Sequence, residues 1–512
     1  MLDATPLLRI YAGWRASQLA RQDAVAAQRW QLLSLISRAR NTRFGREHGF
    51  SHLRDVAQFQ RAVPLRRYDD FWTQYWSALY PVLQDVSWPG LIPFFAASSG
   101  TSSGVTKHIP VSAAMMRSNK RAAIDILVQH VRHRPQSSLL GGRNFFLGGS
   151  AALKSLSLGV HEGDLSGIAA ARVPVWARAR YFPRGELARI ADWERKTREI
   201  ARRSLEADIR SISGTPSWLL LFFDELKRLR PESGGRLADF YPNLELLVHG
   251  GVSFEPYRAR FEALLAGSHA ETREVYTASE GFIALADRGP GEGMRLVADN
   301  GLFFEFVPLE ELDSDMPTRH WLADAEPGVN YALVLSTCAG LWSYVVGDTV
   351  RFVERDPPRI LVTGRTSYGL SAFGEHLIGE EIDAAISAAA AAVGASIADF
   401  TVGAVFPPGR PGHHLYLVEF AGPAPPGRTD EFERVLDREL SLRNVDYAEH
   451  RAGGYGMGAP QAVFLAPGSF AAWMKSRGKF GGQNKVPRVM ADANAFAKAA
   501  AEIAGAVPER AD

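Results

Sequence analysis

Residues 98–110 read Ser98-Ser99-Gly100-Thr101-Ser102-Ser103-Gly104-Val105-Thr106-Lys107-His108-Ile109-Pro110, and no other stretch narrows the choice of fold as far. The apolar run Leu91-Ile92-Pro93-Phe94-Phe95-Ala96-Ala97 leads into it. Glycine lets the backbone approach a ligand closely, so that hydroxyls and N–H groups face it. A lysine then adds a point charge. The combination suits phosphate oxygens. The loop is not a Walker A loop, because Val105 and Thr106 separate Gly104 from Lys107. It contains G-x-S-x-G as Gly100-Thr101-Ser102-Ser103-Gly104, the pattern of a hydrolase nucleophile elbow. An elbow needs a helix straight after the serine, and Pro110 comes too early for one. A flexible Ser/Gly linker is the structural alternative.

Further short motifs follow in order. They are Gly214-Thr215-Pro216-Ser217-Trp218, Gly250-Gly251, Tyr276-Thr277-Ala278-Ser279-Glu280-Gly281 and Tyr344-Val345-Val346-Gly347-Asp348. Ser476-Arg477-Gly478 and Gln483-Asn484-Lys485-Val486-Pro487-Arg488 complete the series. With the opening loop, this series resembles the Gretchen Hagen family of acyl-acid amido synthetases, a branch of the adenylate-forming enzymes. Order and spacing fit nearly the whole chain, from about Asn41 to Arg488. The chain departs from the family's pattern at Val345, where an arginine is common, and at Gly481-Gly482 on the approach to Lys485.

Strand-like runs at Phe145–Leu147, Leu244–Val248, Leu302–Val307, Ala332–Leu335 and Arg351–Val353 alternate with helical stretches such as Leu187–Arg210. That alternation points to α/β architecture. Residues 16–40 carry apolar positions at helical spacing, and 41–50 read as a loop. Pro357-Pro358 after a charged turn marks a boundary. Beyond it a helix over Leu377–Ala392, a strand over Leu415–Phe420 and a helix over Thr429–Leu442 make a small α+β domain. The resemblance implies the adenylate-forming fold: a large N-terminal domain of β-sheets flanked by helices over residues 1–355, holding ATP and acid. A small mobile C-terminal domain over 356–512 would carry the catalytic lysine.

Composition narrows the partners. A chain of 512 residues with 46% apolar and 22% charged residues is that of a globular protein with a large core. A net charge of +2 gives no reason to expect nucleic acid or an anionic membrane. The single cysteine, Cys338, excludes an intrachain disulfide and fits a reducing cytoplasm. It reads as a small buried apolar residue rather than a nucleophile. The uncharged, alanine-rich stretch Ala384–Ala398 is too short to span a bilayer and reads as a soluble helix. A monomer or weak homo-oligomer is expected.

Adenylation sets a carboxylate on the α-phosphate of ATP, so the site needs N–H donors, a divalent ion and a cation. The resemblance places Ser98, Ser99, Gly100, Thr101, Ser102 and Lys107 around the phosphates. Gly250, Gly251, Tyr276, Asp348 and Arg365 complete the nucleotide set. Asp348 after Gly347 suits a carboxylate accepting two bonds from ribose hydroxyls; a plain Gly-Asp β-turn is the alternative. Tyr276 stacks on adenine or is core. Glu280 offers the carboxylate oxygen that Mg²⁺ prefers, or is an ordinary glutamate. Ser279 beside it contacts phosphate or the acid. Lys475, Lys479 and Lys485 compete for the catalytic lysine, and the resemblance picks Lys485. The histidines show no metal spacing. The expected reaction joins a carboxylic acid to an amine, an amino acid by the resemblance, through an acyl-adenylate. An acyl-CoA ligase shares the first step, a serine hydrolase would use Ser102, and a binding protein would keep only the nucleotide site. Phe145, Phe146, Trp218, Leu219 and Phe254 point to an aromatic or medium-chain acid.

Overall fold

Asp23 divides the first helical stretch in two. In the computed structural model, helices span Thr5–Ala20 and Ala24–Ala39, and the Asp23 carboxylate accepts the backbone N–H of Ala26 at 2.9 Å. The side-chain cap satisfies an orphan donor and starts a second helix, so the single helix expected over 16–40 is two. Within the expected loop 41–50, Thr42 caps a short helix over Arg43–Glu47 in the same way. The structure describes residues 2–99, 106–148, 151–173, 175–190, 193–251, 254, 257–366, 370, 372–373, 375, 377–407, 411–451, 457–478, 485–490 and 492–504.

Contacts group the chain into two units, Met1–Gly251 with Leu265–Leu361 and Val252–Leu264 with Val362–Asp512. The first holds β1 (Phe94–Ser99), β2 (Thr106–Val111), β3 (Arg143–Leu147), β4 (Lys154–Ser157), β5 (Val160–Gly163) and β6 (Tyr181–Phe182). It continues with β7 (Ile209–Gly214), β8 (Leu246–Gly250), β9 (Glu271–Ala278), β10 (Gly281–Leu285), β11 (Met294–Leu296) and β12 (Leu302–Pro308). Then come β13 (Asn330–Thr337), β14 (Tyr344–Arg355) and β15 (Pro358–Arg365). One sheet runs β2-β1-β5-β4, and the other runs β12-β13-β14-β15-β11-β10-β9-β8-β7-β3-β6. From β6 through β3, β7 and β8 to β9 the pairing is parallel; β9 with β10 is antiparallel. β12 is buried along its whole length. The main core gathers Phe44, Phe50, Phe59, Phe71, Trp76 and Trp342.

Two expectations shift. Arg210 lies in β7, and the helix before it spans Trp193–Ser204. The Asp356-Pro357 bond is a turn between two strands. The division falls after Leu361 because Arg359 and Ile360 pair with Arg295 and Met294 of β11.

The second unit has a four-stranded sheet in the order β18-β17-β16-β19, from β16 (Ile397–Val405), β17 (His413–Phe420), β18 (Gln461–Leu465) and β19 (Val489–Met490). Helices Gly379–Ala392 and Thr429–Arg443 share its core through Ile382, Ile386, Phe432 and Leu436 against Phe400 and Val418. The alanine-rich stretch stops as a helix at Ala392, before Gly394 at φ +71°, and a strand begins at Ile397. Among the described residues, no helix is long and apolar enough to cross a membrane.

Candidate active site

In an open α/β sheet, ligands bind beyond the carboxyl ends of the parallel strands. Here that edge is made of Gly148, Gly214-Thr215, Gly250-Gly251 and the turn after Ala278. Gly250 pairs with Val275 of β9, and a Cβ on it would sit 2.2 Å from the Val275 carbonyl oxygen. Gly251 follows at φ +85°. Neither position tolerates a side chain without moving backbone. Ser279 and Glu280 form the two-residue turn between β9 and β10, where Ala278 pairs with Gly281. Ser279 is half-buried and Glu280 is buried.

Asp348 is presented by a bulge. Val345 pairs with Val334 and Thr349 with Ala332, so Val346, Gly347 and Asp348 face Leu333 alone. Gly347 takes φ +95°, which the bulge requires. The register of β10 also slips, between Phe282 and Ala284, opposite Thr277 and Tyr276. Together these irregularities let the Tyr276 hydroxyl donate to Asp348 Oδ2 at 2.7 Å. Tyr276 is 6% exposed and belongs to the main core; Asp348 is half-buried. The structure therefore joins two residues of the expected nucleotide set.

The opening loop is the tip of the β1–β2 hairpin, in which Ser98 pairs with Lys107 and Ser99 with Thr106. Gly100, Thr101 and Ser102 lie outside the described residues, as do the side chains of Ser98 and Ser99. A strand follows the loop where a nucleophile elbow needs a helix, so Ser102 lacks an elbow's setting. Lys107 Nζ lies 5.7 Å from the centre of the Tyr68 ring, a cation–π distance. Tyr68 also accepts the backbone N–H of His108 at 2.9 Å. One turn on, Phe71 stands 6.2 Å from Tyr344, the first residue of β14. The short helix Tyr68–Phe71 thus spans from the phosphate-type hairpin to the strand that carries Asp348. Sequence reading missed Tyr68, because an aromatic in so aromatic a run as Tyr68–Trp76 gives no local sign of what it faces. His108 has its Nδ1 edge on Glu162 of β5 and on Tyr80, a network internal to the N-terminal unit.

Arg365 and Lys485 belong to the second unit; Lys485 is exposed and Arg365 half-buried. Cys338 is buried, and burial pushes its thiol up to about 12, so it is a neutral core residue. Of the residues expected around an acid, Phe145 and Leu219 are fully engaged in packing, with the Phe145 ring 4.9 Å from Phe222. Phe254 lies in the second unit, its ring tilted against that of Phe261 with centres 5.2 Å apart. Val345 sits in an apolar cluster with Val307, Ala332 and Val334, packed on Leu65 and Leu312. An arginine in these surroundings would have to carry its charge away from the apolar cluster.

The fold matches solved structures along nearly its whole length. It resembles "AtGH3.15 acyl acid amido synthetase in complex with 2,4-DB" with a TM-score of 0.79 at 18% identity, covering 95% of each chain. It resembles a 2-hydroxyisobutyryl-CoA ligase in the postadenylation state with a TM-score of 0.63 at 17% identity, covering 96% of this chain and 94% of that one. This is the fold of the adenylate-forming enzymes. In sequence, the chain is 24% identical over 547 aligned residues to a probable indole-3-acetic acid-amido synthetase, GH3.2, of Oryza sativa subsp. japonica, covering 90% of this chain and 88% of that protein. It matches the GH3 family N-terminal domain over residues 15–143, the central domain over 295–365 and the C-terminal domain over 380–494. The chain belongs to the GH3 family.

Proposed function

We propose that this GH3 enzyme adenylates an aromatic carboxylic acid at the carboxyl edge of its large sheet and passes the acyl group to an amino acid. It is an ATP-dependent acyl-acid amido synthetase. The acid and ATP give acyl-adenylate and pyrophosphate; the amine then displaces AMP. The observation that carries the siting is the Tyr276–Asp348 pair, raised on a bulge beside the Gly250-Gly251 end of β8. In this reading Asp348 accepts the ribose hydroxyls, and Tyr276 orients its carboxylate. The backbone at Gly250-Gly251 admits the nucleoside, and the β1–β2 hairpin with Ser98, Ser99, Gly100, Thr101, Ser102 and Lys107 takes the phosphates. Ser279 lies by the α-phosphate. Arg365 and Lys485 join from the C-terminal unit, and Lys485 is the catalytic cation. The aromatic acid is supported by relatives named for indole-3-acetic acid. The cytoplasm is the proposed location, on the single cysteine.

Mg²⁺ fits the residues present. It binds through one or two carboxylates plus substrate phosphates rather than a protein cage. Glu280, on the turn beside this edge, supplies one such carboxylate, and no group of three His, Cys, Asp or Glu residues suited to a metal occurs among the described residues. Bound there, the ion would neutralise phosphate charge. Glu280→Gln should then raise the Mg²⁺ concentration needed for half-maximal pyrophosphate release by ~10-fold or more. A wild-type Mg²⁺ titration in the variant would remove Glu280 from the metal.

The deciding experiment is a pyrophosphate-release screen of carboxylic acids, indole-3-acetic acid and benzoates included, repeated with each amino acid and with CoA. AMP release that needs CoA and ignores amino acids would favour a ligase acting on CoA. Asp348→Ala should raise the KM for ATP by about 10- to 100-fold, the loss of a hydrogen-bonded charged group, while the folded fraction by circular dichroism stays unchanged. An unaltered ATP dependence would take Asp348 out of the ribose site.

A further inference from the structure

Lys485 hangs on a short, tightly held piece of chain. Three residues beyond it, Arg488 gives its carbonyl to the N–H of Val402 at 2.9 Å, and the next residue, Val489, pairs with Val402 across β16 and β19. The Arg488 guanidinium donates to Asp399 Oδ1 at 2.6 Å and to the Tyr257 hydroxyl at 2.5 Å. Its central carbon stands 4.4 Å from the centre of the Phe400 ring, a cation–π distance. Tyr257 is buried. Asp383 and Glu419 also face Asp399, and burial pushes the Asp399 carboxyl up to about 6 in spite of the Arg488 charge.

Tyr257 comes from an unexpected part of the chain. Its segment, Val252–Leu264, groups with the C-terminal unit, although Gly250-Gly251 before it and Leu265 after it belong to the N-terminal unit. A guanidinium can hold a carboxylate and a phenol at once because its donors form a rigid fork; an ammonium of equal charge cannot span both in fixed geometry. A lysine's long stem, by contrast, places its amino group only as well as its backbone is placed.

We propose that Arg488 is a positioning residue that holds Lys485 for adenylation, and that its bond to Tyr257 makes the segment after Gly250-Gly251 move with the C-terminal unit. The proposal rests on Lys485 being the adenylation lysine. Within that unit, Tyr257 is the residue of the segment that Arg488 holds.

The test uses Arg488→Lys and Tyr257→Phe in the full-length enzyme. With ATP, Mg²⁺ and the acid of the panel that releases pyrophosphate fastest, Arg488→Lys should lower the adenylation rate by ~10- to 100-fold, the scale of a misplaced catalytic group. The KM for ATP should hold, and aminolysis of a preformed acyl-adenylate should stay within about twofold of wild type. In a Lys485→Ala background the same substitution should add less than about twofold, because both act through one group. Amide hydrogen exchange over 257–265 should rise ~10-fold in both variants, with β13 unchanged. Full additivity with Lys485→Ala, or unchanged exchange over 257–265 in either variant, overturns the proposal. A wild-type enzyme that releases pyrophosphate with no acid overturns the functional reading instead, and the exchange measurement still decides the Tyr257 tie. Should Arg488→Lys fail to fold, Tyr257→Phe carries both measurements, with a smaller adenylation loss and the same rise in exchange.

Discussion

Lys485→Ala should slow adenylation by ~10²–10³, the cost of removing one preorganised electrostatic contact from a transition state. The charge that develops as a carboxylate meets the α-phosphate is anionic, and Glu280 and Asp348, the two side chains proposed for that edge of the large sheet, are themselves acidic. Beside the proposed Mg²⁺, this reading calls for a protein cation from another part of the chain. Lys107, on β2, is the cation proposed for the phosphates, and Lys485 is exposed on the second unit. One cleft that runs two reactions benefits from a cation that leaves after the first. The variant should therefore still form amide when supplied with synthetic acyl-adenylate. Single-turnover pyrophosphate release measures the first step, and amide formation from the preformed adenylate measures the second. A variant that adenylates at the wild-type rate and stalls with the amine would move Lys485 to the second step. Lys475 sits in the last turn of Ser469–Ser476, where a basic side chain complements the helix end. Lys475→Ala should leave both steps near wild type.

Parts of this site were legible in the chain and parts were not, for reasons that can be named. Glycines and hydroxyls crowded before a lysine limit what a loop can do, but the pairing of Ser98 with Lys107 and Ser99 with Thr106 that flanks them has no mark in the sequence. Gly250 stands where backbone approaches backbone and Gly251 takes a positive φ, local demands that leave a local mark. The pairing of Tyr276 with Asp348 joins residues 72 apart in sequence and depends on slips of register in two strands. Register is a property of the neighbouring strand, so neither residue announces the other. The helix break at Asp23 was hidden differently. Leu19 and Ala26 lie on one face at helical spacing, and periodicity reads straight through a cap. The aromatic and aliphatic residues expected around an acid show a different difficulty. Phe145 and Leu219 are buried in packing, and composition cannot separate a lining from a core. The apolar surroundings of Val345 come from neighbours on β12 and β13, which its own motif does not show.

Arg15→Met should destabilise the N-terminal unit by about 3–5 kcal/mol, the range for removing one partner of a buried ion pair. Arg15, on the helix Thr5–Ala20, has a side chain 1% exposed. It meets Asp125 through Nε at 3.0 Å and Nη2 at 2.7 Å, and Asp299 through Nη1 at 2.8 Å and Nη2 at 3.1 Å. Asp299 keeps a second cation in Arg121 at 2.9 Å. Asp125, with a side chain 3% exposed, would be left charged and buried. That asymmetry makes the prediction specific: Asp125, not Asp299, is the source of the loss. Arg15→Met with Asp125→Leu should recover most of it, since exchanging a buried pair for apolar groups of similar volume is often neutral or better. The consequence reaches the site. Asp125 lies on the helix Ala113–His133, which begins directly after β2 with the Ser112 hydroxyl capping its first turn. Loosening that helix loosens the strand that carries Lys107. Urea unfolding followed by hydrogen exchange in β2 and β12 would measure the change. A single variant within about 1 kcal/mol of wild type, or a double variant no more stable than the single, would show that the pair contributes little and that the helix Thr5–Ala20 is held by packing alone.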